Sequence, residues 1–395
     1  MKILFVHEVN YLAKVIFEVH EFPELLAVAG HEVHFLHFPE GTGISDTSLR
    51  SRSRMIPGRV HPTAQINLIT PPNIGGNFLD RLLAPITVVP KIRSLIRKGS
   101  FDVVVLYSVP TSGWQTVRIA KRAKVPVVFR ALDVSHLIRE GLTSRLVEFA
   151  EKVVYHNATV ISANNPELGN YVSNLGNRSD VAIVNHPPLD LDHFALNDRN
   201  NVRARLGIEE SAFVVTYMGS LFPFSGLLQV VSDFALISAT SDRLMIIGGG
   251  EIENKLKNKV AELGIEAKVI FTGVIGYDDL PAYLSASDVL INPFESTLLT
   301  NLALPHKVLQ YLATSTPIVS TRLAGLYGVL KEEAGINWVD EPSDVVAMCM
   351  RVKDQTDSVK SKKSEIGRKF VYANFNQAAS LENLEATLAL AISMK

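Results

Sequence analysis

The sequence predicts an α/β fold made of two Rossmann-like domains, each with a doubly wound parallel sheet. The chain has 395 residues, a length that favours two or three domains. Short apolar runs, typical of buried parallel strands, alternate with helical segments through both halves. Pro187 and Pro188 separate the halves, and because paired prolines rarely lie inside a helix or strand, they indicate a hinge.

The first half contains six predicted strands with helices between them. The strands are residues 3–6, 32–37, 102–107, 126–130, 159–162 and 181–184, and the helices are residues 12–29, 78–98, 111–123, 142–156 and 166–174. Residues 41–62 are polar and rich in Ser, Arg and Gly, so we expect a loop or a surface excursion there. The first strand is followed by HEVNY at 7–11 rather than by a GxGxxG fingerprint, which argues against a nicotinamide-dependent oxidoreductase.

The second half repeats this plan and then ends in a helical tail over residues 342–395. Its predicted strands are residues 213–218, 243–247, 269–271, 289–292 and 318–321. Glycines follow the first three of them, at positions 219, 248–250 and 273. Backbone N–H groups of such loops can approach a diphosphate closely, although glycine after a strand is also ordinary turn chemistry.

Lys307 is the candidate cation at this edge of the second sheet. It lies in the first turn of a short predicted helix that begins near Pro305. The helix dipole disfavours a cation there, but a lysine is expected if it shares an anion such as a phosphate with the free N–H groups. The alternative is a solvated surface lysine, whose position costs only about a few tenths of a kcal/mol.

Asp133 and His136 follow the predicted strand at 126–130. Catalytic side chains of open α/β sheets collect beyond the carboxyl ends of strands. The same residues also suit a hydrogen-bonded turn with a capping aspartate, so both interpretations stay open.

Composition narrows the classes of partner. The net charge is -1 and gives no basic field for nucleic acid. The single cysteine, Cys349, fits a reducing compartment, and no signal peptide or membrane span is expected, so we predict a cytoplasmic protein.

The basic amphipathic helix at 78–98 suggests peripheral contact with the inner face of a membrane, or else a domain helix with a solvated face.

Short motifs along the whole chain resemble those of GT-B glycosyltransferases, and more narrowly those of the retaining family 4 group. They are GHEV at 30–33, the linker at 184–194, GSLFPFSG at 219–226, IGGG at 247–250, FTGV at 271–274, LPHKVLQYLA at 304–313, PIV at 317–319, GR at 367–368 and Phe375. The resemblance implies an acceptor domain over 1–186, a donor domain over 187–375 facing it across a cleft, and a helix over 376–395 that packs back on the first domain.

The resemblance also implies a reaction. A hexosyl or N-acetylhexosaminyl group would move from a UDP- or GDP-linked donor to a glycan or lipid-linked acceptor, with retention and without a bound metal or other cofactor. The implied catalytic residues are His136, Asp133 and Glu295. The implied donor-binding residues are Gly219, Ser220, Ser225, Gly249, Gly273, Val274, Lys307 and Gln310.

The chain departs from the family pattern at several of these positions. Ser220 and Ser225 stand where the family has basic residues for the diphosphate, and Gln310 replaces the glutamate that holds the ribose. Leu302 stands at the other expected glutamate, and Glu295 can replace it only if the loop at 296–303 bulges. Lys307 is then the main cation expected to contact the diphosphate, and Arg322 is a second candidate. The departures leave a second hypothesis, a catalytically inactive GT-B subunit that binds or scaffolds another transferase.

Overall fold

The computed structural model describes residues 1–39, 48–73, 77–139, 141–195 and 198–395. The chain folds into two compact units, which are treated separately below. Unit 1 comprises Met1–Pro188 and Gln377–Lys395, and unit 2 comprises Leu189–Asn376. Both are parallel-sheet α/β domains, which confirms the predicted fold class.

Unit 1 contains an eight-stranded sheet. Its strands are β1 (Lys2–Val6), β2 (Glu32–Leu36), β3 (Arg52–Pro57), β4 (Gln65–Thr70), β5 (Val103–Leu106), β6 (Val127–Ala131), β7 (Val160–Ala163) and β8 (Ile183–Val184), in the spatial order β3-β4-β2-β1-β5-β6-β7-β8. Its helices are α1 (Glu18–Val28), α2 (Asn77–Lys98), α3 (Gly113–Ala123), α4 (Gly141–Asn157), α5 (Pro166–Leu175) and, from the end of the chain, α16 (Gln377–Ser393).

Unit 1 differs from the prediction in three details, the first of which is that no strand was predicted for β4. The segment predicted as a loop over 41–62 contains β3, which pairs antiparallel with β4 at the sheet edge; residues 41–47 of that segment lie outside the described residues. Most of β3 is exposed, so it lacks the apolar run that identifies a buried strand. Helix α1 begins at Glu18 rather than at residue 12, because the preceding chain forms a turn in which Ala13 and Lys14 donate to the Asn10 carbonyl.

The core of unit 1 unites the central strands with the last helix of the chain. Leu384, Leu388 and Ala391 of α16 belong to the same buried cluster as β1 and β5. Their burial gives α16 its place against the sheet, because apolar area removed from water is the main favourable contribution to folding. Beside this cluster, Arg130 and Glu18 form a fully buried ion pair at 2.7 Å.

Unit 2 contains a six-stranded parallel sheet. Its strands are β9 (Val214–Met218), β10 (Arg243–Ile247), β11 (Val269–Gly273), β12 (Val289–Asn292), β13 (Ile318–Thr321) and β14 (Asn337–Val339), in the spatial order β11-β10-β9-β12-β13-β14. Its helices are α6 (Leu191–Phe194), α7 (Arg199–Arg205), α8 (Leu227–Ile237), α9 (Glu253–Glu262), α10 (Leu280–Ser285), α11 (Leu298–Asn301), α12 (His306–Ala313), α13 (Ala324–Leu330), α14 (Val345–Lys353) and α15 (Asp357–Asn374).

The parallel part of each sheet reverses its strand order once. The reversal lies between β1 and β5 in unit 1 and between β9 and β12 in unit 2. Ligands of open α/β sheets bind outside the carboxyl ends of the strands at such a switch point. The topology therefore predicts ligand sites at the loops after β1, β5 and β6 in unit 1 and at the loops after β9 and β12 in unit 2. None of the described helices is both long and apolar enough to cross a lipid bilayer.

Candidate functional site

A cavity of about 420 Å³ opens at the switch point of unit 1. Its volume lies within the range of roughly 300–1,000 Å³ that small-molecule sites occupy. The loops after β1, β5 and β6 supply most of its wall. Its apolar lining residues are Val9, Phe17, Val109, Pro110, Phe129, Leu132 and Ile138, and its polar or charged lining residues include His7, Glu8, Lys14, Arg81, Ser108, Arg130, Asp133, Ser135 and Arg139.

Asp133 contributes an exposed carboxyl group to the cavity wall. The pKa of Asp133 is raised, chiefly because the surrounding protein desolvates the carboxylate and secondarily because the Glu151 carboxylate is near. Lys14 and Arg139 act in the opposite direction. The carboxyl group of Asp133 can accept a hydrogen bond from a ligand hydroxyl in the cavity.

His7 is neutral in this cavity at physiological pH. Desolvation lowers the pKa of His7 to about 3, and the charges of Lys14, His20 and Arg81 contribute in the same direction. Its ring stacks on Tyr107 with centroids 5.2 Å apart. The positive charge of the cavity wall therefore comes from its lysine and arginine side chains rather than from histidine.

His136 lies outside the cavity lining and is buried, with 8% of its surface exposed. Its Nδ1 pairs with the Glu151 carboxylate, and its Nε2 lies 3.4 Å from the Tyr171 hydroxyl. The backbone N–H of His136 also donates to Glu151 at 3.3 Å. The structure therefore does not place the imidazole of His136 on the surface that carries Asp133.

Sequence reasoning missed Glu151, the partner that orients His136. Glu151 is fully buried on the inner face of α4, among Val147, Ala150 and Val154. An acid on the apolar stripe of a predicted helix was the available signal, because buried carboxylates need a partner.

In unit 2 the loops after β9, β10 and β11 lie side by side and are joined by backbone hydrogen bonds. Gly219 donates to the Ile247 carbonyl at 2.9 Å, and Gly248 donates to the Gly273 carbonyl at 2.8 Å. Gly248 has a φ of +127°, and a Cβ there would lie 2.1 Å from the Gly219 carbonyl oxygen. Only glycine allows the loops to approach so closely. The structure therefore brings the three predicted glycine loops together.

Lys307 lies beside these loops and is buried, with 8% of its surface exposed. A Cβ built on Gly219 would lie 3.7 Å from its Nζ. The ammonium faces the rings of Tyr217 and Phe294, at 4.0 and 3.9 Å from their centroids. The proposed alternative of a solvated surface lysine is therefore wrong.

The Nζ of Lys307 has no hydrogen-bond partner in the described part of the chain. Desolvation lowers the pKa of Lys307 well below its usual value. A buried donor without an acceptor is uncommon in folded proteins and is unfavourable unless a ligand supplies the missing acceptor. The arrangement suits an anionic ligand at the carboxyl edge of the sheet.

The two serines that replace basic residues differ in their surroundings. Ser220 is exposed, and its carbonyl accepts a hydrogen bond of 2.9 Å from the Tyr217 hydroxyl. Ser225 is fully buried, and its hydroxyl has no hydrogen-bond partner among the described residues. Gly226 follows in a left-handed conformation with a φ of +68°, where a Cβ would lie 1.9 Å from the Pro293 carbonyl oxygen.

The remaining predicted site residues of unit 2 differ in their burial and contacts. Gln310 lies on α12 and is 6% exposed, whereas Val274 is 69% exposed after β11. Gly249 accepts a backbone hydrogen bond from Leu221 at 3.1 Å, which joins the first and second loops. Glu295 is exposed in the loop after β12, where its N–H donates to the Phe224 carbonyl at 3.0 Å.

Arg322 is paired with surface carboxylates rather than left free for an anion. Its guanidinium lies 3.6 Å from Glu332 and 3.9 Å from Asp340. Within the described ranges, no group of three or more His, Cys, Asp or Glu side chains is placed to hold a metal ion. Lys307, unlike Arg322, has no acceptor for its Nζ among the described residues and lies beside the glycine loops, where a phosphate group could bind it.

Sequence comparison identifies a domain in each unit. Residues 18–188 match the family described as glycosyl transferase 4-like domain, and residues 212–354 match the family described as glycosyl transferases group 1. The chain is 28% identical over 196 residues to mannosylfructose-phosphate synthase of Agrobacterium fabrum, a region that covers 45% of this chain and 40% of that protein. It is 24% identical over 238 residues to the lipopolysaccharide core biosynthesis glycosyltransferase LpsE of Rhizobium meliloti, covering 60% of this chain and 66% of that protein. The aligned regions span less than two thirds of either relative.

Comparison of folds extends the likeness to the whole chain. HepE of Anabaena, solved in complex with UDP and glucose, has a TM-score of 0.78 at 14% identity, and the match covers 98% of this chain and 99% of HepE. Sucrose-phosphate synthase from Thermosynechococcus elongatus has a TM-score of 0.77 at 16% identity, with both chains covered completely. The chain therefore joins a glycosyl transferase 4-like domain to a glycosyl transferases group 1 domain in the GT-B fold, which confirms the fold and the domain families that the motifs resemble.

Proposed function

We propose that this protein is a glycosyltransferase that moves a sugar from a nucleoside diphosphate sugar to a glycan or lipid-linked acceptor, with retention and without a metal ion. The observation that carries the proposal is Lys307, whose buried Nζ has no hydrogen-bond acceptor among the described residues and lies beside three joined glycine loops. The diphosphate of the donor would supply that acceptor. Domains of the same families and the UDP bound by HepE support a UDP-linked donor, and a GDP-linked donor stays open.

The proposed donor site stabilises the leaving group. Negative charge develops on the diphosphate as the bond to the sugar breaks, and preorganised N–H groups and cations aimed at that charge often give the largest catalytic contribution. Gly219 and Gly249 would let the backbone approach the diphosphate, and Lys307 would carry the positive charge. The amide of Gln310 would hydrogen-bond a ribose hydroxyl without charge assistance.

The proposed acceptor site is the cavity of unit 1. Asp133 would accept a hydrogen bond from the acceptor hydroxyl that receives the sugar, since its carboxyl group faces the cavity. His136, held by Glu151, would position the segment that carries Asp133 rather than contact the acceptor. Glu295 lies exposed after β12 and would contact the donor sugar.

The second hypothesis, a catalytically inactive subunit that scaffolds another transferase, is favoured by one observation. Ser225 occupies a position where the family has a lysine, and its buried hydroxyl cannot replace a positive charge. The loops of unit 2 then present Lys307 as the cation for a diphosphate. Weak donor binding with no turnover would fit this hypothesis.

Calorimetric titration with UDP, GDP, ADP and CDP distinguishes the two hypotheses. Saturable binding of one nucleotide, together with release of that nucleotide from its sugar conjugate, would establish a working transferase and identify the base. The Lys362→Met variant is the control for Lys307→Met, because Lys362 is an exposed lysine of α15 and its replacement should leave nucleotide binding unchanged. Failure of a folded protein to bind any of the four nucleotides would overturn the transferase proposal.

We also propose that the protein is cytoplasmic and that residues 78–98 contact an anionic membrane surface. Leu82 and Ile86 of α2 are 59% and 71% exposed, and Arg93 and Arg97 are exposed further along the helix. Binding to vesicles that contain phosphatidylglycerol should weaken as salt is added, because the Debye length shortens. If the protein does not co-sediment with these vesicles at low salt, the membrane contact is refuted.

A further inference from the structure

A row of three aromatic rings leads from Lys307 to the surface of unit 2. The Nζ of Lys307 lies 3.9 Å from the ring centroid of Phe294. Phe294 meets Phe224 edge to face, with ring centroids 5.4 Å apart, and Phe224 stacks on Phe222 with ring centroids 5.2 Å apart. Phe222 ends the row and is 40% exposed. The row therefore joins the position proposed for the diphosphate to an exposed aromatic surface.

The backbone of the loop after β9 holds two of these rings in place. Pro223, whose φ is fixed by its ring, begins a turn of 3₁₀ helix over Pro223–Ser225. The N–H of Ser225 donates to the Phe222 carbonyl at 3.0 Å, and the N–H of Glu295 donates to the Phe224 carbonyl at 3.0 Å. The second of these bonds fixes the loop after β9 to the loop after β12. Both phenylalanines are therefore positioned before any ligand binds.

Phe222 offers one face of its ring to a ligand. Its plane makes an angle of only 23° with that of Phe224, so one face rests on Phe224 and the exposed part of the ring includes the other face. A single exposed apolar side chain is ordinary in itself. A rigid ring that is supported from behind, however, supplies a large contact area at a small cost in conformational entropy.

The chemistry of an aromatic face limits which part of a donor can lie on it. The face carries partial negative charge and the edge partial positive charge, so phosphate oxygens avoid the face of Phe222 whereas C–H groups are attracted to it. A pyranose ring presents C–H bonds on its faces, and a nucleobase is a flat ring that also stacks on aromatic side chains. The direction in which the donor lies decides between these two parts.

The fold of unit 2 directs the sugar rather than the base toward Phe222. Met218 of β9 packs in the same core cluster as α12, whereas Tyr217 packs in the cluster that contains α8, so these helices cover opposite faces of the sheet. Gln310, proposed to hold the ribose, lies on α12, and the loop that carries Phe222 leads into α8. With the diphosphate at Lys307, a nucleoside on the α12 side leaves the sugar on the side of Phe222.

We propose that the exposed face of Phe222 stacks against the pyranose ring of the donor sugar, with Phe224 as the residue that positions it. The inference rests on the proposed function, since it assigns the bound molecule as a nucleoside diphosphate sugar. Glu295, whose N–H is bonded to the Phe224 carbonyl, would contact a hydroxyl group of the same sugar. The stacked face of that sugar carries C–H bonds rather than an axial hydroxyl group.

Calorimetric titration with a nucleotide and with its sugar conjugate, in the absence of acceptor, tests this proposal. The probes are UDP with UDP-glucose and GDP with GDP-mannose, and the pair whose nucleotide binds the wild-type protein is used. Phe222→Ala should weaken binding of the sugar conjugate about fivefold, the order of an aromatic stacking contact, and should leave the affinity for the free nucleotide unchanged. Phe222→Tyr keeps the ring and should bind both probes as the wild type does.

Phe149→Ala is the matched control, because Phe149 of α4 is a 61% exposed phenylalanine in unit 1; it should change neither affinity. Equal binding of the sugar conjugate by Phe222→Ala and the wild type would overturn the proposal. A loss of affinity for the free nucleotide would also overturn it, since the base would then lie on the ring. A wild-type protein that binds neither UDP nor GDP would refute the proposed donor site and, with it, the basis of this inference.

Discussion

Replacement of Lys307 by methionine should raise the stability of the unliganded protein and weaken its binding of nucleoside diphosphates. The Nζ of Lys307 is buried without a hydrogen-bond partner in the described ranges. An unsatisfied buried donor costs about 1–3 kcal/mol. Methionine has a similar length and removes that donor. The two effects have opposite signs because the lysine is unfavourable in the empty site and favourable when an anion fills it.

The expected gain in stability is modest because the aromatic contacts change as well. The charged lysine attracts the rings of Tyr217 and Phe294 by about 0.5–2 kcal/mol each, but only in the ionised form that desolvation disfavours. The methionine sulfur recovers about 0.3–1.5 kcal/mol from the same rings. We therefore expect a net gain of about 1 kcal/mol, which raises the melting temperature by roughly 2–4 °C for a domain of this size.

The expected loss of affinity is much larger. Truncating one partner of a desolvated, hydrogen-bonded charge pair costs about 2–5 kcal/mol. At about 1.4 kcal/mol per factor of ten, this loss corresponds to roughly 30- to 4,000-fold weaker binding. Isothermal titration calorimetry measures the affinity and differential scanning calorimetry measures the melting temperature. A variant that melts at a lower temperature and binds nucleotide normally would show that Lys307 is only a packing residue and would refute the proposed donor site.

The pH dependence gives an independent check on the same lysine. The pKa of Lys307 is lowered from 10.5 by burial in the unliganded protein, and a bound diphosphate favours the charged form and raises it again. Between these two pKa values binding takes up a proton, so nucleotide affinity should fall as pH rises through that window. Calorimetry in two buffers with different ionisation enthalpies measures the uptake. In the same window the unfolded chain holds a proton that the folded chain lacks, so stability should rise with pH, and Lys307→Met should abolish both trends.

Two further substitutions test the site at other points. Gly226→Ala should lower the free energy of unfolding by more than about 2 kcal/mol in urea titrations, because its φ is +68° and the new Cβ would lie 1.9 Å from the Pro293 carbonyl oxygen. Gly264→Ala, at a φ of +65° with no atom within 4 Å of the new Cβ, is the matched control, and equal losses would show that the loop contact is unimportant. Asp133→Asn should lower the turnover at least tenfold and leave nucleotide affinity unchanged, since the carboxyl group lies in the cavity of unit 1; normal turnover would remove Asp133 from the proposed acceptor site.

The sequence by itself determined the α/β class and the glycine loops that lie side by side in unit 2. Apolar runs are local and their spacing identifies buried strands, and glycines directly after those runs identify the tight loops. The motif around Lys307 could also be found in this way, because its helix lies between two such strands. The exposed edge strand β3 was not predicted, because it has no apolar run that would identify a buried strand.

Only the tertiary structure decided the burial and the charge environment of the candidate site residues. Lys307 is buried because Tyr217 and Phe294, distant in the chain from one another, close around it. Likewise, the cations of the unit 1 cavity come from separate segments that meet where the sheet reverses its strand order. Desolvation and ion pairing depend on which side chains surround a charge in the folded protein. The spacing of residues along the sequence does not show which side chains meet across the sheet, so it could not predict these pKa shifts.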